Sequence, residues 1–407
     1  MCHHCDGKHD NPAPAEPGRR EMLKSAGAGL AALPLLGVLS SNRAEAADAS
    51  ASTLGQSPFS VRAYGARSVG GRIEPLRIQR RALGPRDVLL DVLYASICHS
   101  DIHTVHGDWG APRLPCVPGH EIVGRVIAVG GAVTKFRVGD IGGVGCMVDS
   151  CGECENCLAD REQICTNGTT FTYNASDKAS GGHTFGGYSD KIVVTEKFVI
   201  RIPSGMDLVS TAPILCAGIT TFSPIRHWRV RPKQQVAVVG LGGLGHMAVK
   251  LATSARAEVT VFTTTPGKIA DAKRLGAKEA VLWSDAAAMK RLANTFDLVI
   301  STVPYAFDAQ PFLDVLKLDS TFVNVGLGEA RGIHAHAMAF GRKSLVGSMI
   351  GGIAETQEVI DYCFARNIRP EIELICPDQI DAAYARVVGK DVRYRFVIDF
   401  ASTKAGA

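Results

Sequence analysis

A chain of 407 residues exceeds one ordinary domain and predicts two compact units, each able to bury a core of its own. Hydrophobic residues at 46% and charged residues at 21% sit near the globular average, and a formal charge of +4 is too small for a nucleic-acid footprint, so polyanion partners are excluded. The compositional outlier is cysteine, with 12 residues, four of them within the fifteen positions 151–165, a density that points to a metal site before a dispersed disulfide framework.

The chain opens on a polar, proline-rich stretch, followed by Gly18-Arg19-Arg20-Glu21-Met22-Leu23-Lys24 and then an apolar run over 26–39. That run is too short, and too interrupted by Gly27, Gly29, Pro34 and Gly37, for a membrane-spanning helix, while Ala44-Glu45-Ala46 offers small residues for cleavage. Paired arginines before Met-Leu-Lys resemble a twin-arginine signal, so residues 1–46 are expected to engage the twin-arginine translocase and send a folded chain to the periplasm, with Ala47 near the mature start. An uncleaved N-terminal extension is the alternative. His3, His4, Cys5 and His9 fall in this segment and read as incidental polarity.

Beyond Ser57 come short β-type runs broken by Gly and Pro, among them 87–92 and 122–129, which suggest a mostly antiparallel domain over 58–207. From Leu208 to Gly347 apolar strands alternate with amphipathic helices: a strand at 235–239, a helix through 247–254, a strand at 259–262. This is the pattern of βαβ units in a parallel sheet. The tail, 348–407, returns to mixed elements and ends in a strand-like run at 394–398.

Three groups of residues carry chemistry. Cys151, Cys154, Cys157 and Cys165, in a lobe over 146–166, can close a tetrahedral zinc site with no position left for substrate, which makes it structural. An iron–sulfur cluster and two disulfides are the rivals; the gap of seven before the last cysteine fits a ferredoxin run poorly. The second group is dispersed: Cys98-His99-Ser100-Asp101-Ile102-His103, Gly119-His120-Glu121 and Leu215-Cys216-Ala217-Gly218. Two thiolates and an imidazole, from Cys98, His120 and Cys216, are the ligand set of a catalytic zinc with a vacant fourth position, suited to polarising a carbonyl for hydride transfer.

The third group is the turn from Gly240 through Gly242 and Gly243 to Gly245, which follows a predicted strand and opens a predicted helix. Its glycines allow a tight turn and close approach of backbone to a pyrophosphate at the helix N-terminus. About twenty residues on, where an acid would bind the ribose 2′-hydroxyl of NAD, stand Thr263-Thr264-Thr265-Pro266-Gly267-Lys268. Hydroxyls and a lysine suit a 2′-phosphate, so the expected cofactor is NADP.

Together with Gly107-Asp108-Trp109-Gly110, Cys216-Ala217-Gly218-Ile219-Thr220 and the closing Asp391-Val392-Arg393-Tyr394-Arg395-Phe396, these motifs stand in family order, and from about Val61 to Phe400 the chain resembles the cinnamyl alcohol dehydrogenase branch of the zinc-dependent medium-chain alcohol dehydrogenases. The resemblance implies an α/β-plus-β fold: a GroES-like catalytic domain, an inserted Rossmann domain with a doubly wound parallel sheet, and a C-terminal return to the first. It implies two zinc ions per chain, NADP as cofactor, small alcohols or aldehydes as substrates and a homodimer. Residue by residue it gives Cys98, His120 and Cys216 as catalytic zinc ligands, Glu121 as a carboxylate that can join them, and Asp101 as the partner that orients the ligating histidine. Ser100 and His103 become the proton relay, His99 a pyrophosphate contact, Thr220 a nicotinamide neighbour, Thr263, Thr264 and Lys268 the 2′-phosphate pocket, and Trp109 a wall of the substrate pocket. A non-catalytic zinc- or nucleotide-binding redox sensor would have no need of Ser100 and His103 beside three intact ligands. A polyol or formaldehyde dehydrogenase of the same superfamily fits Trp109 and the missing acid near Thr263 less well.

Overall fold

A computed structural model describes residues 55–404, so the expected export signal and its neighbouring His and Cys residues lie outside the described part. The first domain is built on a seven-stranded sheet in the order Ile372–Ile375, Arg395–Asp399, Asp87–Ser96, Ile122–Val129, Ile141–Val144, Val199–Arg201, with Lys191–Thr195 also paired to Asp87–Ser96. Every pairing is antiparallel except Ile372–Ile375 with Arg395–Asp399. The strand expected at 87–92 runs on to Ser96, because Tyr94 and Ala95 find partners on both sides, Val123 and Ile122 on one and Asp399 and Ile398 on the other. That extension delivers the chain to Cys98.

The second domain holds six parallel strands in the order Glu279–Leu282, Glu258–Thr263, Gln235–Val239, Phe296–Ser301, Leu316–Asn324, Ser344–Gly347. A strand covered on both faces must be apolar where it is buried, and after Gln235 the strand Gln235–Val239 is: its alternation sends Val236 and Val238 into one core and Ala237 and Val239 into the other. Helices such as Gly243–Ser254, which buries Met247, Val249 and Leu251, cover the first of these cores. The order reverses between Gln235–Val239 and Phe296–Ser301, and ligands of open α/β sheets bind in the crevice beyond such a switch point.

The return to the first domain is gradual. Helix Ile353–Ala365 still packs Val359, Ile360 and Cys363 into the core that holds Val236 and Val238, and only Ile372–Ile375 and Arg395–Asp399 rejoin the antiparallel sheet. The helix begins where Gly352 passes so close to the Asp160 carbonyl that a side chain would collide with it. Its first amide, that of Ile353, donates to Glu162 Oε2 at 3.1 Å, fastening the helix to the cysteine lobe.

Candidate active site

The four cysteines of the lobe come together around the short helix Glu155–Leu158 and the turn Glu162–Ile164. Their Sγ atoms all lie within 4.8 Å of one another, with Cys151 to Cys157 at 3.8 Å and Cys154 to Cys165 at 3.9 Å. Those separations are nearly double a disulfide bond and match the edge of about 3.8 Å of a tetrahedron with zinc–sulfur bonds of about 2.3 Å. The Thr166 hydroxyl, then the Cys157 and Thr166 amides, bring the Cys154 thiol down to about 5, toward the thiolate that a metal needs. The lobe fits a closed zinc site and not a pair of disulfides.

The dispersed set converges because three element junctions meet. Cys98 caps helix His99–His106, His120 and Glu121 immediately precede strand Ile122–Val129, and Cys216 stands between the turn Ala212–Leu215 and helix Ala217–His227. The Ser96 amide donates to the Glu121 carbonyl at 3.0 Å, fixing the first two junctions side by side. The ligand atoms of Cys98, His120, Glu121 and Cys216 lie within 4.8 Å of one another, and all four residues are buried. The Cys98 thiol is held well below its ordinary value by its hydrogen bond with Cys216 and, against burial, by the charge of Arg395. Buried thiols that share protons in this way suit a divalent cation.

Asp101 organises the site from beneath. Fully buried, it accepts from the amides of Cys98 at 2.9 Å and Gly119 at 3.1 Å, from the Tyr188 hydroxyl at 3.1 Å, and it stands 3.0 Å from His120 Nδ1. A carboxylate there keeps the proton on Nδ1 and leaves Nε2 as the ligating nitrogen. Glu121 stands within the ligand group with both oxygens engaged: one accepts from Arg395 and the other from the Ser96 hydroxyl. Burial pushes its carboxyl up to about 7 despite the pull of Arg395.

A cleft of about 680 Å³ joins this cluster to the switch point of the parallel sheet. At the metal end, Ser100 Oγ is 3.8 Å from Cys98 Sγ, and Thr220 Oγ1, one helical turn beyond Cys216, is 4.0 Å from its sulfur. His103 holds Asp108 Oδ2 at 2.7 Å through Nδ1 and lies against Trp109, ring centroids 5.1 Å apart, while Trp109, half exposed, forms the rim. His99 also lines the cleft, and burial lowers its pKa.

At the other end, Gly240 adopts φ 90°, and a side chain there would meet the Thr302 hydroxyl at 2.9 Å. Gly242 and Gly243 line the cleft; a side chain on Gly243 would meet Arg395 at 2.7 Å. Gly245 has a packing role, since a side chain would stand 2.1 Å from the Gly240 carbonyl and push helix Gly243–Ser254 off the turn. Thr263, Thr264 and Lys268 all line the cleft, but the Thr263 hydroxyl is buried and accepts from the Thr265 amide at 3.2 Å, so Thr264 and Lys268 are the freer of the three. Lys268 Nζ reaches back to the Leu241 carbonyl at 2.9 Å, placing its charge beside the glycine turn. This cradle fits a dinucleotide phosphate.

The sequence gives no role to Arg395, Asp108 or Tyr188, although the first two stand in the motifs that carry the resemblance. Arg395 carried a signal, a cation within the apolar run Arg395–Asp399, whose residues are all buried. Its Nε has no hydrogen-bond partner and it stands between Glu121 and Gly243, at the join of the two halves of the cleft. Tyr188, on a loop far from Asp101 in sequence, gave none.

With the geometry in place, comparison with known proteins is direct. Residues 84–204 match the alcohol dehydrogenase GroES-like domain and residues 243–365 the zinc-binding dehydrogenase family. NADP-dependent alcohol dehydrogenase C 1 of Mycolicibacterium smegmatis is 52% identical over 347 residues, 85% of this chain and 99% of that protein. Aldehyde reductase YahK of Escherichia coli is 46% identical, over 83% of this chain and 98% of its own. The crystal structure of the cinnamyl alcohol dehydrogenase of Helicobacter pylori complexed with NADP(H) superposes with a TM-score of 0.80 at 40% identity, covering 85% of this chain and 99% of that one. The chain belongs to the zinc-dependent medium-chain alcohol dehydrogenases. Within them it falls in the branch that contains the cinnamyl alcohol dehydrogenases and NADP-dependent alcohol dehydrogenase C.

Proposed function

We propose that the protein is an NADP-dependent alcohol dehydrogenase that works chiefly as an aldehyde reductase of broad range. The observation that carries this is the single cleft with the Cys98, His120 and Cys216 ligand set at one end and the glycine turn with Lys268 at the other. When bound, zinc would supply a Lewis acid for the carbonyl and NADPH the hydride, leaving NADP+; the names of the M. smegmatis and H. pylori relatives support NADP as the cofactor. The chain's own groups do the rest. Asp101 orients His120; Thr220 and His99 border the cofactor; Trp109 narrows the mouth and favours apolar or aromatic aldehydes. Ser100 Oγ donates the proton that the reduced product requires and is re-supplied by His103 through Nε2, with Asp108 holding the opposite ring nitrogen. Orientation of both reactants in one cleft is the main contribution of the protein.

Strand Ser344–Gly347 is one of the two edges of the parallel sheet, paired among the described residues with Leu316–Asn324 alone, and Phe340, Leu318 and Leu327 expose large apolar surface in that part of the chain. An open ladder beside exposed apolar side chains supports a homodimer joined along this edge. The arginine pair Arg19-Arg20 and the apolar run after it support folded export to the periplasm by the twin-arginine route, with zinc and nucleotide loaded beforehand. Purified protein assayed with NADPH and NADH against aromatic and aliphatic aldehydes tests the activity. Oxidation of NADPH by several aldehydes, with NADH much slower, is the expected result; no turnover with either cofactor refutes the assignment.

A further inference from the structure

Helix Ile380–Val388 ends at Gly389, and Lys390 follows with φ 59°, its amide donating to the Val387 carbonyl at 3.1 Å. A cation just beyond a helix C-terminus is favoured by the helix dipole. The turn carries the ammonium of Lys390 across the cleft to 5.0 Å from the ring centroid of Tyr305, and both residues line the cleft. Tyr305 lies on the loop leaving strand Phe296–Ser301 at the switch point. Three residues earlier the Thr302 hydroxyl donates to the carbonyls of Val239 at 3.0 Å and Gly240 at 3.3 Å, holding that loop against the glycine turn. A lysine of one domain thus meets a tyrosine of the other beside the turn that cradles phosphate.

The charge of Lys390 is felt along the cleft. Burial lowers the pKa of Lys268 and the ammonium of Lys390 lowers it further, while His99 lines the same cleft from the first domain. Asp271, the acid nearest in effect to Lys268, is already bonded to Arg274 at 3.3 Å and Arg393 at 3.4 Å. Basic groups from three segments converging on one cleft call for an anionic ligand.

We propose that Lys390 is a cofactor-binding residue supplied by the catalytic domain, whose ammonium, aimed by the Tyr305 ring, contacts the pyrophosphate of NADP between the His99 and Lys268 ends of the cleft. The inference rests on the NADP reading above. The dinucleotide is then held from both domains, and its release requires them to part.

Titration of the zinc-loaded enzyme with NADPH and NADH, followed by nicotinamide fluorescence, provides the test. Lys390→Ala weakens both nucleotides by about tenfold, with their ratio preserved and with a shallower dependence on salt, because one charge-assisted contact to a shared phosphate is lost. Lys390→Arg returns both affinities to within about threefold of the native enzyme. Lys268→Ala instead lowers NADPH affinity and spares NADH. Affinities of Lys390→Ala within about twofold of native for both nucleotides, or a loss confined to NADPH, overturn the proposal. A native NADPH-to-NADH ratio in Lys268→Ala strikes at the NADP reading, and the Lys390 assignment is then decided on NADH alone.

Discussion

The two cysteine-containing sites are built on opposite plans. Cys151, Cys154, Cys157 and Cys165 lie within fifteen residues of one partly exposed lobe, so local turns alone bring them together. Cys98, His120 and Cys216 are spread from the end of one strand to the start of the helix that leads into the second domain, and meet only when the first domain has folded and the chain has crossed to the second. The difference teaches what each metal is for. A site made by local sequence stabilises the lobe that contains it. A site made by tertiary structure, buried and facing a cleft, borrows the rigidity of the whole fold to hold an open coordination position.

Breaking the dispersed set has the largest effect. Cys98→Ser abolishes aldehyde reduction, while the melting temperature changes little and NADPH still binds; a large fall in melting temperature would show that this metal also carries the fold. Next comes Ser100→Ala, which removes the relay donor and no ligand. Turnover should fall by about 10²-fold or more with zinc content unchanged, and native turnover would dismiss the relay. Asp101→Asn keeps the shape of the orienting side chain but loses its charge, and should lower zinc affinity or turnover by about 10- to 100-fold. Metal titration with a chelator measures the first and steady-state kinetics the second; if neither moves, Asp101 serves the fold alone. Lys268→Ala, at the far end of the same cleft, should cost NADPH about 1.5–3 kcal/mol of binding free energy, read as a raised Kd. An equal rise for NADH would remove the 2′-phosphate assignment.

The same contrast explains what was legible in the sequence. The lobe was readable from spacing, and the glycine turn from its place between strand 235–239 and the helix that follows, although that helix starts at Gly243, where the turn itself provides the first helical turn. The catalytic ligands were readable only as a set, two thiolates and an imidazole that the family resemblance then supported, because each residue alone is an ordinary buried Cys or His. What the sequence could not show were contacts between segments with no common period. Arg395 reaches Glu121 across 274 positions, Tyr188 reaches Asp101 across 87, and Lys390 meets Tyr305 only because two domains face each other. Such pairs depend on where a strand end or helix end points, which periodicity does not encode.

The most direct test of the two-site account is elemental analysis of the purified chain beside Cys98→Ser and Cys154→Ser. The native protein should hold two zinc ions, and each variant one. Cys98→Ser should keep native stability without activity. Cys154→Ser should lose stability, as structural zinc sites contribute to folding outright. One zinc in the native protein, iron in place of zinc, or loss of both metals from either variant would contradict the separation of a structural from a catalytic site.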